Sequence, residues 1–387
     1  MVILTGMVLG GCGGRQIAPT KNVELNVPAD LAKAFEVQEL KPNMVTQARA
    51  VEAPGGEKKA GKNKKKKAIQ SASTKTVKGP SIPDAGSAAS GFVIPLRRPL
   101  VDPLRVGEKV WMDVTWLGTK AGEFVLEVQP FKLMNGRKVY DIKGSARTSD
   151  LFALIYRAED WVQTYVDYEG WFPYKFVLHG DESKHIRNHL ELFDHSAKKQ
   201  YVHILDNRIE KNEVHEKKGY QDLTPFSQDS LSALYYARTF DLQVGKTVRF
   251  PMTTGGNQRE VELTVLAKEE VQTKIGYLKA LKTKVQTRFN GVLQQKGDAF
   301  IWFSDDERKY PVRFEAKVRI GWVAGIAKKI EPGIAENTRS ESKLEEVKPM
   351  DEPTVSAVGG KDATSKGKPR TWFRQLLMQS KEDSNKK

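Results

Sequence analysis

All six histidines of the chain fall between His179 and His215. On an extended backbone His185 and His189 point to one face with Arg187 between them. Joined by His203 from a following strand, they would begin a metal site. Arg187 on that same face repels a divalent cation, and no CxxC or HExxH spacing accompanies them. They read as histidines on a polar sheet face, with no metal and no cofactor expected. Asp305, Asp306 and Glu307 form a second cluster, with Asp229 elsewhere. Paired carboxylates perform acid–base work in glycoside hydrolysis. Yet Asp305-Asp306 sits between two predicted strands, where Asp forms turns, and Asp229 sits at the start of a helix. Ser230 and Ser232 lack the G-x-S-x-G setting of a nucleophile. No phosphate loop, dinucleotide fingerprint or calcium loop is present. No catalytic residue is assigned, and the chain reads as a non-enzyme.

Binding is better served by the aromatics. A curved sheet lined with aromatic rings and covered by a helix can hold an acyl chain or a glycan. Trp116, Trp161, Tyr165, Tyr235 and Trp302 are the candidates, although most aromatics of the sheet, among them Trp111, Trp116, Trp161, Trp171, Trp302, Trp322, Tyr165, Tyr174 and Tyr201, are expected in the core.

The elements that must position these rings are strands. Val110, Met112, Val114 and Trp116 alternate with Trp111, Asp113 and Thr115, and Phe124, Leu126 and Val128 alternate with Val125, Glu127 and Gln129. Asn135-Gly136 is a two-residue hairpin signal leading into 139–146. Further strands are predicted at 160–167, 173–180, 184–193, 198–205, 208–215, 246–252, 259–270, 276–288, 291–303 and 310–320. Turn clusters stand at Asp167–Gly170, Asp206-Asn207 and Gly255-Gly256-Asn257. The period of two with one wetted face predicts an antiparallel sheet. Ser227–Arg238 breaks the pattern as a helix, with Ser227 as a plausible cap, Asp229 in its first turn, and Leu231, Leu234 and Tyr235 on one face. It should pack on the sheet, and Leu151–Tyr156 should form a second short cover. The expected fold is mainly β: a curved antiparallel sheet or half-open β-barrel with one packed helix, over residues 101–330.

Both flanks are polar. Six of the seven Trp lie between Trp111 and Trp322. Residues 13–100 read as a disordered basic linker, since the seven lysines Lys58, Lys59, Lys62, Lys64, Lys65, Lys66 and Lys67 repel one another. Such a run is drawn to acidic lipid or acidic glycan. The net charge of +15 is concentrated there rather than spread evenly. Residues 331–387 read as a disordered tail ending in a short amphipathic helix, 371–379. Its Trp372, Phe373, Leu376 and Leu377 share one face as a candidate docking surface for a partner, a membrane or the domain itself.

The single cysteine excludes an intramolecular disulfide. Its setting, a short apolar run ending in Leu9-Gly10-Gly11-Cys12, resembles the bacterial lipobox. That resemblance makes residues 1–12 a signal peptide and Cys12 the lipidation site, although no Lys or Arg precedes the apolar run. It implies a lipid-anchored periplasmic protein. Gly13 in place of Asp implies outer-membrane delivery. Export argues against a nucleic-acid partner.

The segment Gln228-Asp229-Ser230-Leu231-Ser232-Ala233-Leu234-Tyr235-Tyr236-Ala237-Arg238 resembles the central motif of domain-of-unknown-function family 3108. Gly118 with Ala121-Gly122, and Ile301-Trp302-Phe303-Ser304-Asp305-Asp306 running to Tyr310-Pro311-Val312-Arg313, fit the same family. The match spans roughly residues 104–325. The resemblance implies an exported bacterial protein with a curved sheet similar to the half-open barrels of lipoprotein carriers. Three functions follow as expectations: an envelope lipoprotein that binds or handles a hydrophobic or glycan component, a scaffolding module of an envelope protein assembly, or a cell-wall glycan-acting enzyme.

Overall fold

In a computed structural model, the described residues are 25–40, 92–289, 292–294, 298–318, 321–334 and 356–357. Cys12, the lysines from Lys58 to Lys67 and the whole 371–379 segment lie outside them.

Two antiparallel meanders make one sheet. The first contains β2 (Val106–Trp116), β3 (Thr119–Met134), β4 (Arg137–Thr148), β5 (Ala158–Asp167), β6 (Pro173–Glu182), β7 (His185–Asp194), β8 (Lys199–Arg208) and β9 (Glu213–Asp222). The second contains β10 (Lys246–Thr254), β11 (Asn257–Thr273), β12 (Gly276–Phe289), β13 (Val292–Gln294), β14 (Ala299–Ser304), β15 (Pro311–Val318) and β16 (Gly321–Ile334). The last strand, β16, pairs antiparallel with β2 and joins the meanders. The terminal strands of the two meanders are then β9 and β10. Tight two-residue turns drive the hairpins. Leu117-Gly118, Asn135-Gly136 and Gly255-Gly256 all hold both residues at positive φ, the twist that matches flanking strands.

Several strand boundaries move. The expected strand at 208–215 is broken by a 3-10 turn, Ile209–Lys211, and by Asn212 at φ 49°. Pairing resumes as β9, so the turn lies there and Asp206-Asn207 belongs to β8. The expected 291–303 strand is two pieces, β13 and β14, and both pair with β12.

The sheet curls until its ends meet. The β10–β11 turn reaches the inner face of the first meander, where Gly255 N donates to Glu191 Oε1 at 2.9 Å and Thr253 Oγ1 donates to Gln200 Oε1 at 3.1 Å. Lys217 Nζ donates to Gly255 O at 2.6 Å. Side chains close this seam, where no described ladder links β9 to β10: a half-open barrel. Within it, between β9 and β10 in sequence, lies the helix α2 (Ser230–Ala237), against β4, β5 and β10. Asp229, rather than Ser227, is its cap. The Asp229 side chain accepts from Leu231 N and Ser232 N, and Ser232 Oγ accepts from Asp229 N. Leu231, Ala233, Tyr235, Tyr236 and Ala237 are all buried, so the helix fills the barrel rather than covering one side. The short α1 (Asp150–Ala153) does not cover the sheet as expected: Leu151, Leu154 and Ile155 stand exposed.

The C-terminus of α2 carries a fully buried charge. Arg238 Nη1 and Nη2 donate to Glu108 at 2.6 and 2.9 Å, and Nη2 also reaches Pro103 O. Arg308 Nη2 donates to the same carboxylate at 2.7 Å. Burying ions costs several kcal/mol each, so such a pair holds only when every partner is present.

The outer face of β4–β8 has its own apolar cluster, built from Met134, Val139, Tyr174, Leu190, Leu192 and Tyr201. Residues 25–40 cover it. Phe35 is buried there, and β1 (Val37–Glu39) pairs with the end of β3. Phe92 stacks on Phe226, while Arg97 N and Arg98 N donate to Glu169 O. The expected linker, 13–100, is therefore part of the folded body over 25–40 and 92–100. Leu31, Ala34, Phe35 and Val37 supply too short an apolar set to fold alone, which is why it looked unstructured.

Glu108→Gln leaves Arg238 buried without its carboxylate counter-charge. It should lower stability by about 3–5 kcal/mol, read as an earlier midpoint in urea unfolding. A change within about 1 kcal/mol would show that the pair is not a structural lock.

Candidate functional site

On β5 the side chains of Val162, Thr164 and Val166 point inward, toward α2. Thr164 Oγ1 donates to Asp229, and a Cβ at Gly144 would stand 3.1 Å from Val162 and 3.7 Å from Leu231. Asp160 is in phase with them, so it also points inward, near the end of the barrel. In the ladder Asp160 faces Gly180 of β6, Gly180 faces Arg187 of β7, and Arg187 faces Asp206 of β8. This strip across four strands is a polar niche on the inner face of the barrel.

Its geometry is specific. Asp160 is only 6% exposed, and its Oδ1 has no hydrogen-bond partner. Gly180 leaves a gap there: a Cβ at that position would stand 3.1 Å from Asp160 Oδ1 and 3.8 Å from Arg187 Nε. Arg187 spends one nitrogen on Glu182, and its buried Nε is unpartnered. Tyr156, from the turn after α1, donates its hydroxyl to Glu182 as well. Arg208 Nε lies 3.4 Å from Asp206 Oδ2, and His185 Nδ1 lies 3.5 Å from Asp206 Oδ1. Deeper in the barrel, His189 Nε2 stands 3.0 Å from Glu191.

Burial, with the nearby Glu182 carboxylate, pushes the Asp160 carboxyl up to about 7, against the opposing pull of Arg187. Asp229 is also pushed up, to about 6, by burial alone, because its hydrogen bonds from Thr164, Leu231 and Ser232 act the other way.

The chain just before Tyr156, which bonds Glu182 of the strip, forms an apolar rim. Leu151, Leu154 and Ile155 are 70%, 84% and 75% exposed. Phe152 packs edge-on against Trp116 at 5.9 Å, and Leu117 lies against Gly321 at the next hairpin.

The sequence candidates disperse. Trp161 and Tyr165 lie on the outer face of β5: Trp161 beside His179 under Lys143, Tyr165 against the cluster covered by residues 25–40. Tyr235 is in the core. Trp302 is buried, with its Nε1 donating to Glu269 at 2.5 Å. Trp116 belongs to the rim. These five line no common groove among the described residues. The histidines separate too. His185 and His189 face inward, whereas His203 is on the outer face and pairs with Glu216 at 2.9 Å. His179 bonds Asn188, also outside, and His215 stands 3.2 Å from Glu213. His195 is buried: Phe226 N donates to its Nδ1 at 2.9 Å, so Nε2 carries the proton toward Pro173 O. Burial pushes it down to about 4. Among the described residues no group of three or more His, Cys, Asp or Glu is placed to hold a metal ion. Asp306 is a turn former, with Oδ1 accepting from Ser304 Oγ, Arg308 N and Lys309 N, while Asp305 pairs with Lys268.

Sequence reasoning passed over Asp160 and Glu182, and met Arg187 only as an obstacle to metal. The signal was present in the alternation Asp160, Val162, Thr164, Val166, where an acid occupies the apolar phase.

A half-open antiparallel barrel filled by one capped helix, with a polar niche at one end, is the class of protein that fold and site define. The chain belongs to the family described as Protein of unknown function (DUF3108), whose model matches residues 112–325. No curated protein matches it. Three solved structures are similar at low identity. A β-barrel-like protein of domain of unknown function DUF1849 from Brucella abortus matches 59% of this chain and 98% of its own, at 11% identity and a TM-score of 0.36. A lipoprotein candidate from Parabacteroides distasonis matches 62% and 100%, at 9% identity and a TM-score of 0.27. An exported-protein candidate with a YmcC-like fold from Bacteroides fragilis matches 59% and 97%, at 9% identity and a TM-score of 0.26.

The niche sets a sign for pH dependence. Burial pushes the Asp160 carboxyl up to about 7 in the folded chain, from 3.8 for a free aspartate. Between those values the folded chain binds the extra proton, so this group's contribution is lost as pH rises from about 4 through 7. Asp160→Asn should therefore match the parent near pH 4 and exceed it by roughly 2–4 kcal/mol at pH 8. Urea midpoints across that range test it, and a variant less stable than the parent at pH 8 contradicts it.

Proposed function

We propose that this chain is a cell-envelope lipoprotein, held by lipid on Cys12 and probing its surroundings with the open end of the barrel. The domain binds an amphiphilic envelope component and does no chemistry on it. The observation that carries this reading is the niche: a 6%-exposed Asp160 with an unpartnered Oδ1, over a glycine gap, beside an exposed apolar turn. Asp160 Oδ1, Arg187 Nε and Asp206 Oδ1 gather on one strip without hydrogen-bond partners, and buried polar groups are costly until something completes them. Apolar side chains exposed next to it match the other half of an amphiphile. A non-catalytic role fits the carboxylates elsewhere, which are committed to turns and caps. The periplasm, and an outer-membrane anchor in particular, follow from Leu9-Gly10-Gly11-Cys12 and Gly13. Two lipid chains on Cys12 would anchor stably where one would not. The lysines from Lys58 to Lys67 would add attraction to acidic lipid or glycan.

Native mass spectrometry of the full-length chain, purified from the envelope of the organism that makes it, tests both parts. The protein mass should carry the diacyl addition on Cys12. A second mass of a few hundred daltons or more should co-purify and be lost from the Gly180→Leu variant. A bare, unlipidated chain would overturn the reading.

A further inference from the structure

We propose that the open end of the barrel docks on the lipid bilayer through an apolar patch built from three neighbouring turns, with Leu154 and Ile155 its most exposed members. The proposal rests on the lipoprotein reading and adds the face of the domain that meets the membrane.

The strands β16, β2, β3, β4 and β5 are consecutive across the sheet, so their turns at this end stand in a row. The β2–β3 turn carries Leu117, 61% exposed, the connection from β4 to β5 carries Leu151, Leu154 and Ile155, and Trp322 opens β16, 39% exposed. Contacts tie the turns together. Phe152 packs on Trp116, Ser149 N donates to Ala121 O at 2.8 Å, and a Cβ at Gly321 would stand 3.2 Å from Leu117 Cδ2. Ile155 N and Tyr156 N both donate to Phe152 O, at 2.9 and 2.8 Å. The backbone is thus fixed in the arrangement that presents Leu154 and Ile155 outward. Large apolar side chains gathered in one place on a surface mark a site of contact. At the other end Leu100, Val101, Val244, Ile275 and Tyr277 are each less exposed than Leu151, Leu154 or Ile155.

The length of chain ahead of the folded body names the occupant. Residues 25–40 belong to that body, with Phe35 buried and Tyr220 Oη donating to Asp30 at 2.5 Å. Only residues 13–24 separate Cys12 from it, and fully extended they span at most roughly 45 Å. The ten residues of β5 make a strand about 33 Å long. A lipid on Cys12 therefore holds the barrel close to its bilayer, on a tether long enough for the open end to reach it. Three cations beside the patch are paired: Arg147 with Glu159, Arg157 with Asp181 and Lys120 with Asp113. Their charge is already answered, so apolar insertion rather than phosphate attraction carries the docking. Trp322 at the margin suits the head-group level, where indoles gather.

Cys12 is the single cysteine of the chain, so once it is lipidated a cysteine placed on a chosen turn is the only thiol to label. The lipidated full-length chain is reconstituted in vesicles of phosphatidylethanolamine and phosphatidylglycerol whose acyl chains carry mid-chain bromine. Ile155→Cys and, at the other end of the strands, Tyr277→Cys are each labelled with bimane. Bromine should quench the label on Ile155→Cys and leave the label on Tyr277→Cys bright, and high salt should not change this. Adding Leu154→Asp, with the fold checked by circular dichroism, should lower the ratio of docked to undocked chain about 10-fold or more, the worth of one inserted leucine. Equal quenching of both labels, quenching of neither, loss of quenching in salt, or quenching unmoved by Leu154→Asp would each overturn the docking and leave the lipid anchor standing. An unquenched Ile155→Cys label in a dimer that Leu154→Asp splits would overturn it in favour of a second copy of the chain. A parent whose own Cys12 takes the bimane would overturn the lipoprotein reading, and the docking with it.

Discussion

The buried contact between Arg238 and Glu108 is the constraint on which the rest of this barrel depends. It ties the end of α2 to the first strand of the sheet, and Arg308 brings in the β14–β15 turn through the same carboxylate. Pro103 O and Pro332 O accept from the two arginines, so the chain entering β2 and the end of β16 are held at one point. Burial penalises the Arg238 charge, and Glu108 more than offsets this, so the guanidinium is held above its ordinary range. A helix inside a barrel has no solvent face on which to leave a charge. Putting an arginine there demands the carboxylate opposite it, and that demand fixes where the helix ends relative to both meanders.

With α2 fixed, the two ends of the barrel differ. One end is locked by this network and by the aromatic stack of Tyr140, Tyr168 and Trp171, where Arg98 and Asp102 reach Tyr140 and Tyr168. The other end has no such closure. There the inward strip from Asp160 to Asp206 replaces hydrocarbon, and α1 turns its leucines outward. Ordinary cores bury apolar residues at such positions. The polar strip and the polar lock both bury charge inside the barrel, the lock around one carboxylate shared by two arginines and the strip without a hydrogen bond to Asp160 Oδ1.

Much of the fold was legible because it is local. Period-two alternation, the paired positive-φ turns and the helix signature from Asp229 to Arg238 depend on neighbours along the chain, and these gave a mainly β half-open barrel with one helix. The β8–β9 turn was less legible because Asn212, not Asp206-Asn207, takes the left-handed conformation, and either asparagine is able to. Residues 25–40 were not legible at all. Their few apolar side chains become a strand and a cover only against the outer face of β4–β8, a surface that exists after the sheet has formed.

Residue order by itself determined the antiparallel sheet, the capped helix, the family and the clustering of lysines outside the barrel, since period, turn chemistry and charge spacing are properties of a linear string. Tertiary structure alone decided which polar residues matter. Gly180, Arg187 and Asp206 lie 20, 27 and 46 positions after Asp160 in sequence, yet one register line across β5–β8 sets them side by side. The same register sends His203 to the opposite face from His185, and Trp161 away from Tyr235. Which carboxylate oxygens end without a hydrogen bond is set by the partners that pairing brings within reach, and a sequence does not state its register.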